Sequence, residues 1–214
     1  MTTTNNTTAE KPLSCSALLA RIMILKQYNA ATYQRAVTPI NAYSRSLGKA
    51  ISGYAETDAA VAGLLPGNVY RALQGDRQGQ ETGDQMPVRA VVYATVFPSP
   101  ATGPQADVEA DTARILKALA YMEDRTAEAF ADAAKSPHAD DIGTILHLGH
   151  AVGVAKNRAL DLRSAAAAIE NGTYWTRKAS IAWICLQCGL RGNGATAFSK
   201  CPCCGAARAY ASPA

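Results

Sequence analysis

At 214 residues, with 48% hydrophobic and 18% charged side chains and a net charge of +4, the chain is long enough to bury one sizeable core and carry a small appendage. Its Lys and Arg are scattered rather than run together with aromatics, so no nucleic-acid partner is expected. The polar opening lacks a charged lead into an apolar run, and the apolar stretch Ala17 to Leu25 is cut by Arg21 and ended by Lys26, so neither a signal peptide nor a membrane span is read and a cytoplasmic location is expected.

Residues 1–12 read as a flexible Thr-rich leader. From Ser14 to Tyr54 apolar residues recur at helical spacing, Leu18, Ile22 and Leu25 first, then Ile40, Tyr43, Leu47, Ile51 and Tyr54; Pro39 is expected to break or kink the helix between the two stretches. Residues 66–104 are rich in Gly, Pro and Gln and read as a long connection, with a short helix near Val69–Leu73 and an isolated strand from Val88 to Phe97. A third helix is expected from about Asp107 to Ser136-Pro137, with Val108, Ile115, Leu119 and Met122 as its stripe. A fourth is expected from Asp140-Asp141 through Ile142, Ile145, Leu146, Val152 and Leu160 to Asn171-Gly172. Four such helices, the middle two joined by a long crossover, make an all-α four-helix bundle over residues 13–172.

Residues 173–214 carry the chemistry. Cys185-Leu-Gln-Cys188-Gly189 is followed, twelve residues later, by Cys201-Pro-Cys-Cys204-Gly205. Each Cys-x-x-Cys pair turns two thiolates toward one centre, and the glycine after it permits the positive φ that the tight turn needs. Cys185, Cys188, Cys201 and Cys204 are therefore the predicted ligands of one metal ion, iron or zinc, both of which accept a sulfur tetrahedron. Trp183, Phe198 and Tyr210 are candidates for its apolar cover. Such a small module draws most of its stability, roughly 10 kcal/mol or more, from the ion. Cys203 lies between Pro202 and the ligand Cys204 and is read as a non-ligand; Cys15 is read as a small residue on a helix face.

A helical bundle ending in Asn171-Gly-Thr-Tyr, then Trp183-x-Cys185-x-x-Cys188-Gly189, a short loop, Cys201-Pro-x-Cys204-Gly205 and Tyr210, resembles the rubrerythrin family. The resemblance implies a ferritin-like four-helix bundle followed by a small rubredoxin-like or zinc-ribbon domain with four cysteine ligands, assembly as a homodimer or larger oligomer, and exchange of electrons with a redox partner. One departure is decisive. Family members build a di-iron centre from inward Glu residues and Glu-x-x-His motifs, and this chain has no Glu-x-x-His. Between Lys11 and Ala55 there is no Asp or Glu, so the first helices are expected to offer no carboxylate, leaving Glu123, Asp124 and Glu128. No di-iron site and no peroxidase activity are expected. His147 and His150 lie a turn apart but read as a solvated flank beside Arg158 and Asp161, and His138 stands alone in a turn. Lys156 falls on the expected inward stripe of the last helix, where it either snorkels to the surface or takes Glu123 as its counter-charge.

Two functions remain open from the residues: a one-electron carrier working through a mononuclear iron tetrathiolate, favoured by the resemblance, and a structural or partner-docking module braced by zinc. Neither includes a catalytic residue. The basic side chains Arg21, Lys26, Arg35, Arg45 and Lys49 read by default as a solvated basic face, one able to meet an acidic partner.

Overall fold

The computed structural model describes residues 15–64, 105–137, 142 and 147–214. Four long helices and a small sheet follow in order: α1 (Cys15–Tyr43), α2 (Arg45–Leu64), α3 (Gln105–Ala134), α4 (Leu148–Glu170), then β1 (Thr176–Cys185), β2 (Arg191–Thr196), a single 3-10 turn (Arg208–Tyr210) and β3 (Ala211–Pro213). The leader, the connection 66–104 with its expected helix and strand, His138 and Asp140-Asp141 lie outside the described residues. No helix among the described residues is long and apolar enough to cross a membrane.

α1 packs along α2 and α3 along α4, while α1 also lies against α3. Pro39 does not divide the first pair. α1 runs through it to Tyr43, and the break comes at the buried Ser44. A proline inside a helix forfeits one backbone bond, whereas Ser44 offers the chain a new start: its hydroxyl accepts the Leu47 N–H at 3.3 Å and its carbonyl accepts the Gly48 N–H at 3.0 Å. The C-terminal signal of α4 behaves as read, with the N–H groups of Gly172 and Thr173 returning to the carbonyls of Ile169 and Ala168.

The stripes of α1 to α3 hold: Leu18, Ile22, Ile40, Tyr43, Ile51, Ile115, Leu119 and Met122 are buried. The phase of α4 differs from expectation. Its inward face is Leu148, Ala155, Arg158, Ala159, Leu162, Ala166 and Ile169, whereas Leu160 is 61% exposed and Lys156 is exposed. Small alanines fill the buried face and let α3 approach closely, so the largest apolar residue is no guide to the helix's phase.

Apolar packing falls into two clusters along the helices. Leu18, Leu19, Ile22, Phe130, Ile142 and Leu148 form one; Tyr33, Ile40, Ile51, Leu116, Leu119 and Leu162 belong to the other. The second continues into the C-terminal module through Trp175, Trp183, Ala197 and Ala211. There β1 is the central strand of an antiparallel sheet in the order β2-β1-β3, with Trp183 opposite Gly192 on one side and Cys185 opposite Ala211 on the other. The Trp183 indole N–H donates to the Gly194 carbonyl at 2.9 Å, satisfying its one polar atom inside the apolar cluster.

Candidate metal centre

The two knuckles are built alike. In the first, the Gly189 N–H bonds the Cys185 carbonyl and the Cys185 N–H bonds the Leu190 carbonyl, each at 2.8 Å. In the second, the Gly205 N–H bonds the Cys201 carbonyl at 2.9 Å and the Cys201 N–H bonds the Ala206 carbonyl at 2.7 Å. Both turns close on a glycine in the left-handed region, Gly189 at φ 77° and Gly205 at φ 75°, where a side chain would be strained. The predicted turn chemistry is therefore present twice, in register.

These turns bring together the four predicted cysteines and no other. All four Sγ atoms lie within 4.8 Å of one another, with Cys185 to Cys204 at 3.8 Å and Cys188 to Cys201 at 3.7 Å. A disulfide requires about 2.05 Å, so the sulfurs are not bonded in pairs. A tetrahedron with metal–sulfur bonds of about 2.3 Å has an edge of about 3.8 Å, which is the separation the two pairs adopt. The four thiols can hold a single ion such as iron or zinc.

Burial is divided within each knuckle. Cys185 and Cys201 are buried against Ala206, Leu190, Phe198 and Tyr210, while Cys188 and Cys204 are exposed, so the centre sits at the edge of the module. Of the expected cover, Phe198 and Tyr210 serve it, and Trp183 turns instead to the helices. Cys203 is exposed and stands outside the cluster, and Cys15 is partly buried on α1.

Backbone N–H groups point at the sulfurs. Those of Cys204 and Cys203 bond Cys201 and bring its thiol down to about 7 against the cost of burial. The Leu190 N–H bonds Cys188 and the Ala206 N–H bonds Cys204; each lowers its thiol, but burial and neighbouring thiols outweigh it, pushing Cys188 up to about 12 and Cys204 upward. Such donors favour thiolates over thiols, and thiolates are what a metal binds. Cys203 thus contributes through its backbone, a role invisible in its side chain.

A second polar cluster lies between the two apolar clusters, and each helix sends one charge into it. Lys26 of α1 donates to Asp58 Oδ1 of α2 at 2.9 Å. Arg158 of α4 donates to the same oxygen at 2.8 Å and to Glu123 Oε1 of α3 at 3.3 Å. The Tyr33 hydroxyl donates to Glu123 Oε1 at 2.5 Å, and the Arg158 guanidinium lies 4.7 Å from the centre of the Tyr54 ring. Nearby, Asn29 donates to the Thr126 hydroxyl, which donates in turn to the Met122 carbonyl.

Burial raises the pKa of Glu123 despite Lys26, Tyr33 and Arg158, and Asp58 adds to the rise. Burial disfavours the charge on Arg158, but Asp58 and Glu123 outweigh it and hold the guanidinium above its ordinary value. Tyr33 is raised well above the usual phenol range by burial and then by Glu123. Asp58 Oδ2, Glu123 Oε2 and Asn29 Oδ1 have no donor among the described residues, a cost the layer carries.

This layer corrects four expectations. α2 does supply an internal carboxylate, Asp58, which lies just beyond the acid-free stretch ending at Ala55. Glu123 takes Arg158 rather than Lys156 as its partner. The remaining candidates stay outside: Asp124 pairs with Arg163 and Glu128 with Arg125 on the surface, His150 is exposed, and His147 is an exposed left-handed residue (φ 46°) at the start of α4. Lys26, expected on an outer basic face, and Arg158, expected on a solvated flank, are both buried and paired with Asp58, which the sequence reading did not single out, although each occupies an apolar-stripe position, as in Ile51, Ala55, Asp58, Ala62. No protein-family model matches the chain and no curated protein matches it, so the chemistry of both clusters is argued from the residues themselves.

Proposed function

We propose that the chain is a rubrerythrin-like protein that has lost its di-iron centre and acts as a one-electron carrier through an iron tetrathiolate held by Cys185, Cys188, Cys201 and Cys204. The observation that carries this reading is the pair of matched knuckles, with sulfur separations of 3.7 and 3.8 Å and backbone N–H groups directed at the sulfurs. Iron in such a site changes charge by one electron without changing ligands. The chain's part is to supply the thiolates, to set their electron density through N–H donors, and to leave Cys188 and Cys204 at the surface where a partner can approach.

A di-iron centre of the kind the resemblance brings does not fit the helical interior. The two buried carboxylates among the described residues, Asp58 and Glu123, are already bonded to Lys26 and Arg158, and a dinuclear cation would meet both. The ferritin-like order of the helices, the domain limits 13–172 and 173–214 and a homodimeric or larger assembly belong to the same proposal. A cytoplasmic setting would keep the thiols reduced for metal.

Zinc is the second reading, because the same sulfur tetrahedron suits it and the module packs firmly onto the helices through Trp175 and Trp183, as a brace would. Metal analysis of the protein as purified, with a visible spectrum, decides between them. One iron per chain with charge-transfer bands that bleach on reduction supports the carrier. One zinc per chain and a colourless protein refutes it.

A further inference from the structure

The C-terminal module is charged with one sign. Residues 171–214 contain Arg177, Lys178, Arg191, Lys200 and Arg208 and not one Asp or Glu. None of these five makes an ion pair among the described residues. By contrast, acids exposed on α3 and α4 are largely neutralised within the chain, as in Lys117–Glu170, Arg163–Asp124 and Arg125–Glu128.

Several of these cations border the metal centre. Arg191 follows the first knuckle directly and faces Ile184 across the sheet. Lys200 precedes Cys201, and its chain lies against the second knuckle, 3.6 Å from where a Cβ on Gly205 would be. Arg45, from α2, sits 4.1 Å over the ring of Tyr210, whose carbonyl is bonded by the Leu186 N–H. Inside this rim Leu186 is 46% exposed, beside the exposed thiols of Cys188 and Cys204. A small apolar surface beside the metal site, with cations near it that hold no carboxylate among the described residues, has the layout of a transient docking face steered by charge.

We infer that the edge of the metal centre, with Leu186 at its middle and Arg45, Arg191 and Lys200 around it, docks a protein whose complementary face is rich in carboxylates. The inference rests on the carrier reading for its purpose and on the charge pattern for its partner. Nucleic acid fits less well: single-strand binding needs exposed rings for bases to stack on, but Trp175 and Trp183 are buried and Tyr210 is covered by Arg45. A second copy of this chain is a weaker fit because most acids of α3 and α4, Asp124, Glu128 and Glu170 among them, already hold cations of their own chain.

Two measurements on the full chain test it, and only one needs iron. First, zinc-loaded protein is titrated with a fluorescent poly-L-glutamate peptide and, separately, with a single-stranded oligonucleotide of equal charge, while sedimentation follows its own assembly. Second, reduced iron-loaded protein is oxidised in a stopped-flow instrument by anionic ferricyanide and by a cationic cobalt tris-phenanthroline. The expected results are polyglutamate binding that weakens roughly tenfold with added salt, and a ferricyanide rate that falls with salt while the cobalt rate rises. R191E/K200E should reverse both trends, and Lys135→Glu, in the exposed turn just past α3, should leave them unchanged.

Equal salt responses for the two oxidants, no polyglutamate binding, tighter binding of the oligonucleotide, or a salt-sensitive dimer that masks the surface would each overturn the inference. Failure to take up redox-active iron would instead sink the carrier reading, and the peptide titration would still judge the docking face.

Discussion

Arg158→Met is the sharpest test of the charged layer. Arg158 is 7% exposed as a residue and bonds both buried carboxylates, so its loss leaves Asp58 with Lys26 alone and Glu123 with Tyr33 alone. Removing one partner of a buried ion pair costs about 3–5 kcal/mol. Here the cost has a ceiling, because Glu123 can escape by taking a proton. Relative to an unfolded carboxyl of pKa 4.5, a Glu123 kept neutral costs at most about 3 kcal/mol at pH 7 and about 0.7 kcal/mol at pH 5. The sign is fixed by the raised folded pKa: the stability Glu123 contributes as an acid is present below the unfolded value and lost as pH rises through the folded one. Urea unfolding followed by helical circular dichroism should show Arg158→Met destabilised by about 3 kcal/mol at pH 7 and much less at pH 5. In the double variant R158M/E123Q the two losses should not add, since both act on one interaction. A loss below about 1 kcal/mol at pH 7, or one equal at both pH values, would refute the placement of these charges.

Cys188→Ser should release the metal and melt the knuckles from Leu186 to Ala206 while Trp183, packed on the helices, keeps its near-ultraviolet signal; Cys203→Ala should leave metal content and spectrum unaltered. Gly205→Ala, forced into φ 75°, should lower the thermal stability of the metal module by about 1–2 kcal/mol, read from metal release on heating. Tyr33→Phe should flatten the alkaline limb of the pH–stability curve, because the raised Tyr33 phenol gives stability that is present below about pH 10 and lost as pH climbs toward its folded value; an unchanged limb would place Tyr33 away from Glu123.

The cluster of four cysteines was legible because its signal is covalently local. A Cys-x-x-Cys-Gly turn fixes its own backbone through hydrogen bonds no more than five residues apart, so spacing alone located all four thiols and excluded Cys203. Helix order was legible for the same reason, since Leu18, Ile22, Ile51 and Leu119 declare their faces by period. The charged layer depends on which residues of four separate helices reach one level, and local pattern does not encode that directly. It was approached through α4, where the phase set by Val152 and Leu160 pointed to Lys156.

The structure shifts the inward face of that helix by two residues, a little over half a turn, and presents Arg158. The error has a general physical source. On an alanine-rich helix the buried face is chosen by how closely a neighbour can approach, so Ala155, Ala159 and Ala166 go inside and a lone leucine is left in water. Once the small residues set the phase, Arg158 follows inward between Ala155 and Leu162, and a cation there demands carboxylates from facing helices. Asp58 and Glu123 meet that demand, and each stands on its own helix's apolar stripe. Four charges placed at apolar-stripe positions, two of each sign, thus identify a neutral interior layer that no one of the helices reveals alone.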